Sequence, residues 1–224
     1  MFATLVRSRA RSAAPWWRNP TIIALGLCCL ASCRTSDSLT PLSPAPAPVL
    51  HGSLTDAVGD ASAPSSVPIH PDLASATLEV AGGILTITVT YRPGSWSTTR
   101  SVWFVLLDLD ENPNTGFGEV PVSTSQPISE TFGWEYQITA VDPAETSTGG
   151  ITRALGPTSF SKVGTVPVTF PQPDAVQVAI PLSVLGNDDG RLRFRVMAAQ
   201  WNSTLSAVLT DVMPEAGQLA GTVR

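Results

Sequence analysis

The chain has 224 residues, 43% of them hydrophobic, with thirteen bases, eighteen acids and three cysteines, for a formal net charge of −5. That acidity disfavours phosphate contacts with nucleic acid, and Lys162, the single lysine, is almost no basis for Schiff-base chemistry. The length suits one domain with a sizeable core.

Residues 1–32 carry Arg7, Arg9, Arg11 and Arg18 and no acid, then a twelve-residue apolar segment, "TIIALGLCCLAS". A bilayer-spanning helix needs about 20 residues, so the segment reads as the core of a cleaved signal peptide. It ends in Leu30-Ala31-Ser32-Cys33, which looks like a bacterial lipobox. Small residues there admit the peptidase, and the Cys33 thiol accepts a diacylglyceryl group, with further acyl chains of the palmitate kind. An ordinary secretory signal or an uncleaved anchor is the competing reading, but leader charge, core length and small-residue box agree on a lipoprotein. Cys28 and Cys29 leave with the leader, so the mature chain has no thiol for catalysis, a disulfide or a thiolate metal site. Nine bases then face eighteen acids, a net charge of −9, which suits cation binding. Several acyl chains anchor stably, and the expected location is the cell envelope, on the outer membrane or the outer face of the cytoplasmic membrane.

Residues 33–53 are rich in Ser, Pro and Ala ("RTSDSLTPLSPAPAPVL") and read as a disordered tether. Residues 54–224 read as one domain dominated by period-two alternation. In "ILTITVTY" (84–91) Leu85, Ile87, Val89 and Tyr91 share a face opposite three threonines, a half-buried strand. "SVWFVLLD" (101–108) is apolar on both faces, as a strand covered on both sides would be. "GWEYQITAV" (133–141) places Trp134, Tyr136, Ile138 and Ala140 inward and Glu135 outward. In "RLRFRVMA" (191–198) Leu192, Phe194, Val196 and Ala198 oppose Arg191, Arg193 and Arg195, a row that reads as a solvated face more readily than as a grip on an anionic ligand. Weaker strands are "SATLEVA", "GITRAL", "TVPVTF" and "AVQVAIP"; "PLSVLG" suggests one helical turn. Turn signals separate them, among them "AGG" at 81–83 and "NDDG" at 187–190. The expectation is all-β, a single antiparallel β-sandwich of about seven to nine strands.

After "VWFVLLD" comes a ladder of side-chain oxygens, Asp108, Asp110, Asn112 and Asn114. Against an EF-hand loop, Asp108, Asp110 and Asn112 fall at positions one, three and five and Glu119 at twelve, but position six is Pro113, whose ring fixes φ near −65°, and Pro121 forbids the following helix. An EF-hand is excluded. Two readings stay open: a calcium loop of another geometry, or an Asx-rich turn closed by Thr115-Gly116 with no ion. The calcium reading needs further oxygens, for which Asp56, Asp60 and Glu135 are candidates. "DVMPEAG" adds Asp211 and Glu215, which either pair with the opening loop or solvate the last strand.

The ordered series "DAVGD", "PDLASATLEV", "GGILTITVTY", "LLDLDENPNTG", "GWEYQI", "VAIPLSVLG" and "DVMPEAG" resembles, over about residues 54–217, a bacterial envelope domain related to the DOMON and family-9 carbohydrate-binding-module group. The resemblance implies a jelly-roll-like sandwich of ligand-binding type, often with structural calcium, and implies no catalytic residue. Haem-binding members use Met and His ligands, whereas His51 and His70 here fall in the tether and first loop. Sugar-binding members stack their ligand on aromatic faces. Trp96, in "RPGSWSTT", is the best exposed candidate and Trp201 the second; Trp103 and Trp134 read as core.

A Ser-His-Asp triad would have to recruit His70, and no G-x-S-x-G elbow is present. Zinc ligands are lacking. The expected protein is therefore a non-enzymatic, lipid-anchored lipoprotein carrying a binding module for a glycan or another envelope ligand, stabilised by Ca²⁺. The alternative is a structural subunit docking a protein partner, and a hydrolase stands third, because nothing singles out a catalytic pair of carboxylates.

Overall fold

The computed structural model describes residues 48–62, 71–96, 101–118, 132–141, 148–157, 159–201, 207–215 and 218–224. The leader, Cys33, most of the tether and His70 lie outside these residues. Residues 45–224 form one compact unit that encloses its own core.

Eleven strands follow in chain order: β1 (Leu50–Thr55), β2 (Leu73–Ala81), β3 (Ile84–Tyr91), β4 (Ser101–Asp108), β5 (Tyr136–Val141), β6 (Thr148–Gly156), β7 (Ser159–Gln172), β8 (Ala175–Pro181), β9 (Leu192–Trp201), β10 (Ala207–Met213) and β11 (Gly221–Val223). A 3₁₀ turn, Leu182–Leu185, follows β8 where "PLSVLG" announced it. All pairings are antiparallel, in the order β1-β2-β3-β8-β7-β6-β5-β4-β9-β10, with β11 beside β9.

Two features differ from the expected seven to nine strands in two sheets. The long β7 pairs with β6 through Pro167 and with β8 from Val168, so a single strand carries one half of the sheet into the other. The chain end then bonds back to β1, His51 N–H to Arg224 O at 3.0 Å and Arg224 N–H to His51 O at 3.3 Å, which leaves the sheet nearly closed and barrel-like. β1 also starts at Leu50, inside the stretch read as tether. "LHGSLT" is a weak strand signal on its own, and its pairing with residues 75–80 of β2 makes it one.

Period-two alternation holds where it is strongest. Leu85, Ile87, Val89 and Tyr91 are buried inside the sheet with Leu78, Val176, Val178, Trp103, Val105, Leu107, Phe194 and Val196. Each fully buried aliphatic side chain of this kind contributes about 1.5–3 kcal/mol. β4 is buried at every residue, as its two apolar faces require: Trp103, Val105 and Leu107 point to the interior, while Val102, Phe104 and Leu106 join a second cluster on the outer face with Phe117, Phe132, Trp134, Met197 and Leu209.

That outer cluster corrects two expectations. Trp134 and Tyr136 do not share a face: Trp134 bridges Phe117 before β5 begins and packs outside, whereas Tyr136 packs inside. Of the arginine row, Arg191 is exposed as expected, but Arg193 is half-buried and Arg195 buried. Arg195 is 2% exposed, with its guanidinium 5.2 Å from the Phe132 ring centroid, and Arg193 lies 5.4 Å from the same ring. Phe132 covers this part of β9, and arginine tolerates the burial because its flat cation stacks on an aromatic face.

Candidate functional site

The Asp108 ladder starts where β4 ends, and its turn is built by its own side chains. Asn112 N–H donates to Asp108 Oδ1 at 3.1 Å and to Asp110 Oδ1 at 3.0 Å, Asn114 N–H donates to Asn112 Oδ1 at 3.1 Å, and Thr115 Oγ1–H reaches both Asp110 oxygens. The Asp110–Asn112 and Asn112–Asn114 bonds are Asx-turn bonds. Asn112 and Asn114 thus hold the turn together through these bonds.

Three carboxylates do converge. One oxygen from each of Asp108, Asp110 and Glu135 lies within 4.8 Å of the others. Glu135, expected to face outward, turns into the loop because the alternation breaks before β5: its Oε2 accepts the Leu109 N–H at 2.8 Å, and its Oε1 is buried with no hydrogen-bond donor. Two glycines make the approach feasible. Gly116 sits at φ +68°, and a Cβ there would come within 2.6 Å of Glu135 Oε1; a Cβ on Gly133 would be 1.9 Å from the Thr115 carbonyl oxygen.

Asp56 and Asp60 lie elsewhere. The segment after β1 brings them to the end of β10, where they gather with Asp211 and Glu215, again with one oxygen from each within 4.8 Å of the rest. Asp211 is buried, and its carboxylate accepts Leu73 N–H at 2.6 Å and Val212 N–H at 2.8 Å. Asp56 Oδ2 is buried with no donor. Asp72 holds the neighbouring turn by accepting Gly59 N–H, and pairs with Arg92 at 3.4 Å. The two clusters are distinct: Asp108 lies opposite Arg193 and Asp211 opposite Ala198, five residues apart along β9 or about 16 Å at the usual strand rise.

Both clusters hold carboxylates pushed toward neutrality. Burial raises Asp108 to about 6, against the opposing pull of Arg193, whose Nε lies 3.5 Å away. Burial, with help from Asp110 and Asp108, raises Glu135 to about 7. In the second cluster burial and then Asp60 raise Asp56 to about 7, and burial followed by Asp56 among the charges raises Asp211 to about 8. Raised carboxylates often mark acid–base catalysis. Here each rise follows from desolvation and like-charge crowding, which a bound divalent cation relieves.

The spacing suits that cation. Calcium takes oxygens at 2.3–2.6 Å, so two of its ligand oxygens stand at most about 5 Å apart, and both clusters meet this limit. The second has four acids, whereas in the first Arg193 already offsets part of the charge. Asp211 and Glu215 therefore belong with Asp56 and Asp60, not with the Asp108 loop. The sequence signal was Asp211 itself, an acid inside the apolar run "VLTDVM" with no turn residue beside it.

The aromatic candidates come out differently. Trp96 is 7% exposed and packs on Tyr91 with ring centroids 4.5 Å apart, so it is core and not a stacking platform. The turn "RPGSW" folds back over the end of β3, which short-range sequence cannot reveal. Trp201 ends β9, and its side chain lies outside the described residues. His51 is exposed on β1. No family model matches the chain, and no curated protein matches it.

Proposed function

We propose that the chain is a lipid-anchored envelope lipoprotein whose folded part is a non-catalytic binding module stabilised by calcium. The observation that carries this reading is the meeting of Asp56, Asp60, Asp211 and Glu215, from two segments about 150 residues apart, within 4.8 Å. Four carboxylates so close repel one another unless protonated or bridged, and a hard divalent cation is the bridge that all-oxygen ligands favour. The Asp108–Asp110–Glu135 cluster supports a second ion of the same kind. The sheet is then a distorted jelly-roll sandwich whose halves are joined by β7, in keeping with the resemblance to the DOMON and family-9 group. The recognised ligand is an envelope component, and with Trp96 buried a glycan contact falls to Trp201 and the exposed strand faces.

Isothermal titration of a fragment from residue 34 with calcium tests the metal reading. Two binding events are expected, with Asp60→Asn removing one and Asp110→Asn the other, both at exposed positions that leave the core intact. Heat from neither event, in wild type, would sink it. Mass analysis of the cell-derived protein tests the anchor: a diacylglyceryl mass on Cys33, with residues 1–32 absent, is expected.

A further inference from the structure

The hairpin of β6 and β7 has a surface unlike the rest of the molecule. From Ser159 to Val163 every residue of β7 is exposed. Its end carries apolar side chains: Leu155 is 63% exposed and Phe160 60%, and the exposed Pro157 lies in the turn. In a chain of net charge −5, β6 and β7 carry two bases, Arg153 and Lys162, and no acid.

The order of these residues matters more than their number. Pairing puts Phe160 and Lys162 on the face of Ala154 and Thr152, opposite Arg153, and Leu155 falls at the register shift beside the turn. Along each strand the apolar side chain is nearer the turn and the base stands two residues behind it, about 7 Å along the strand. Arg153 leans back over the Tyr136 ring, its guanidinium carbon 5.8 Å from the centroid, and Phe160 meets Phe117 edge-on at 5.6 Å, so both faces are held by the body of the domain. An apolar end with bases one side-chain repeat behind it matches the polarity of a bilayer surface, where acyl chains lie beneath anionic headgroups. Lysine and arginine satisfy both layers by keeping their charged ends at headgroup level.

We infer that the β6–β7 hairpin is a membrane-contact element that inserts Leu155, Pro157 and Phe160 into the interface of an anionic bilayer, with Arg153 and Lys162 on the lipid phosphates. The contact adds to the Cys33 anchor and fixes which side of the domain faces the membrane. It needs neither the anchor nor calcium, so it stands or falls apart from the function proposed above.

The self-contained unit of residues 45–224, which lacks Cys33, is sedimented with sonicated vesicles of phosphatidylcholine alone or with a quarter phosphatidylglycerol. Binding to the anionic vesicles and little to the neutral ones is expected. Lys162→Gln should weaken it about fivefold, the share of one base at an anionic surface, and the double variant Leu155→Ser, Phe160→Ser about tenfold or more. All three positions are exposed, and an unchanged Tm confirms that the variants remain folded. The proposal is overturned by failure to sediment with anionic vesicles, by equal sedimentation with neutral ones, or by variants that bind like wild type. A hairpin that serves a protein partner, or a second copy of the chain, gives one of these results.

Discussion

Glu135 reaches across the loop that follows β4 to accept the Leu109 N–H at 2.8 Å, and its second oxygen is buried without a donor. A carboxylate held by one oxygen, with the other turned toward Asp108 and Asp110, is placed for a cation. Calcium at a hundredfold above its dissociation constant adds about 2.7 kcal/mol to stability, about 5–10 °C in Tm for a domain of this size. Glu135→Gln should lower the part of that rise owed to this cluster and leave the part owed to Asp56, Asp60, Asp211 and Glu215. Differential scanning calorimetry with calcium and with chelator reads both. An identical calcium response in variant and wild type would remove Glu135 from the site.

The metal-free protein should lose stability as pH rises. Asp56, Asp211 and Glu135 have folded pKa values of about 7, 8 and 7, above the values near 4 of an unfolded chain. Between pH 4 and 8 the folded state therefore binds more protons than the unfolded state, and stability falls with pH across that window. Calcium requires the deprotonated carboxylates, so its affinity moves the opposite way. In chelator, Tm should be higher at pH 5 than at pH 8; in millimolar calcium the difference should shrink or reverse. A chelator profile that rises from pH 5 to 8 contradicts the assignment.

How much of this was readable from sequence depended on the range of the interactions involved. The strands β3, β4 and β9 were legible because their burial follows local alternation, and β4 announced a second covering layer by being apolar on both faces. The layer itself was not legible: Phe132 covers Arg195 only after residues far apart in sequence meet. Glu135 was named as a ligand on composition, but its inward turn comes from the break between Trp134 and Tyr136, which strict alternation excludes. Asp56 and Asp60, joined to the Asp108 ladder in the sequence reading, instead gather with Asp211 and Glu215. Nothing local links residue 56 to residue 211; the shared end of β2 and β10, through Leu73 N–H on Asp211, does.

Trp96→Ala should destabilise the fold by about 3 kcal/mol or more, the usual cost of deleting a buried aromatic side chain, because Trp96 closes the end of the core on Tyr91. Trp96→Phe, which keeps a ring against Tyr91, should cost less. Urea unfolding measures both. A loss of ligand binding in Trp96→Ala at 25 °C would then follow from unfolding, and would appear in Trp96→Phe only in proportion to its lost stability. An unchanged urea midpoint in Trp96→Ala would mean that the ring is at the surface after all.

Gly133 gives a way to break one cluster and spare the other. Its missing Cβ lets residues 132–134 pass against the Thr115 carbonyl, and a methyl group there would stand 1.9 Å from that oxygen. Backbone rather than a flexible side chain opposes it, so Gly133→Ala must push the Asp108–Gly116 turn away from the segment that presents Glu135. The Asp108–Asp110–Glu135 cluster then opens by the scale of that displacement, and an ion that needs its oxygens at 2.3–2.6 Å is lost. The Asp56, Asp60, Asp211 and Glu215 cluster, five residues further along β9, has no part in that approach and should keep its affinity. Calcium titration of Gly133→Ala should therefore show one binding event where wild type shows two. Retention of both would mean that the turn and Glu135 do not share an ion.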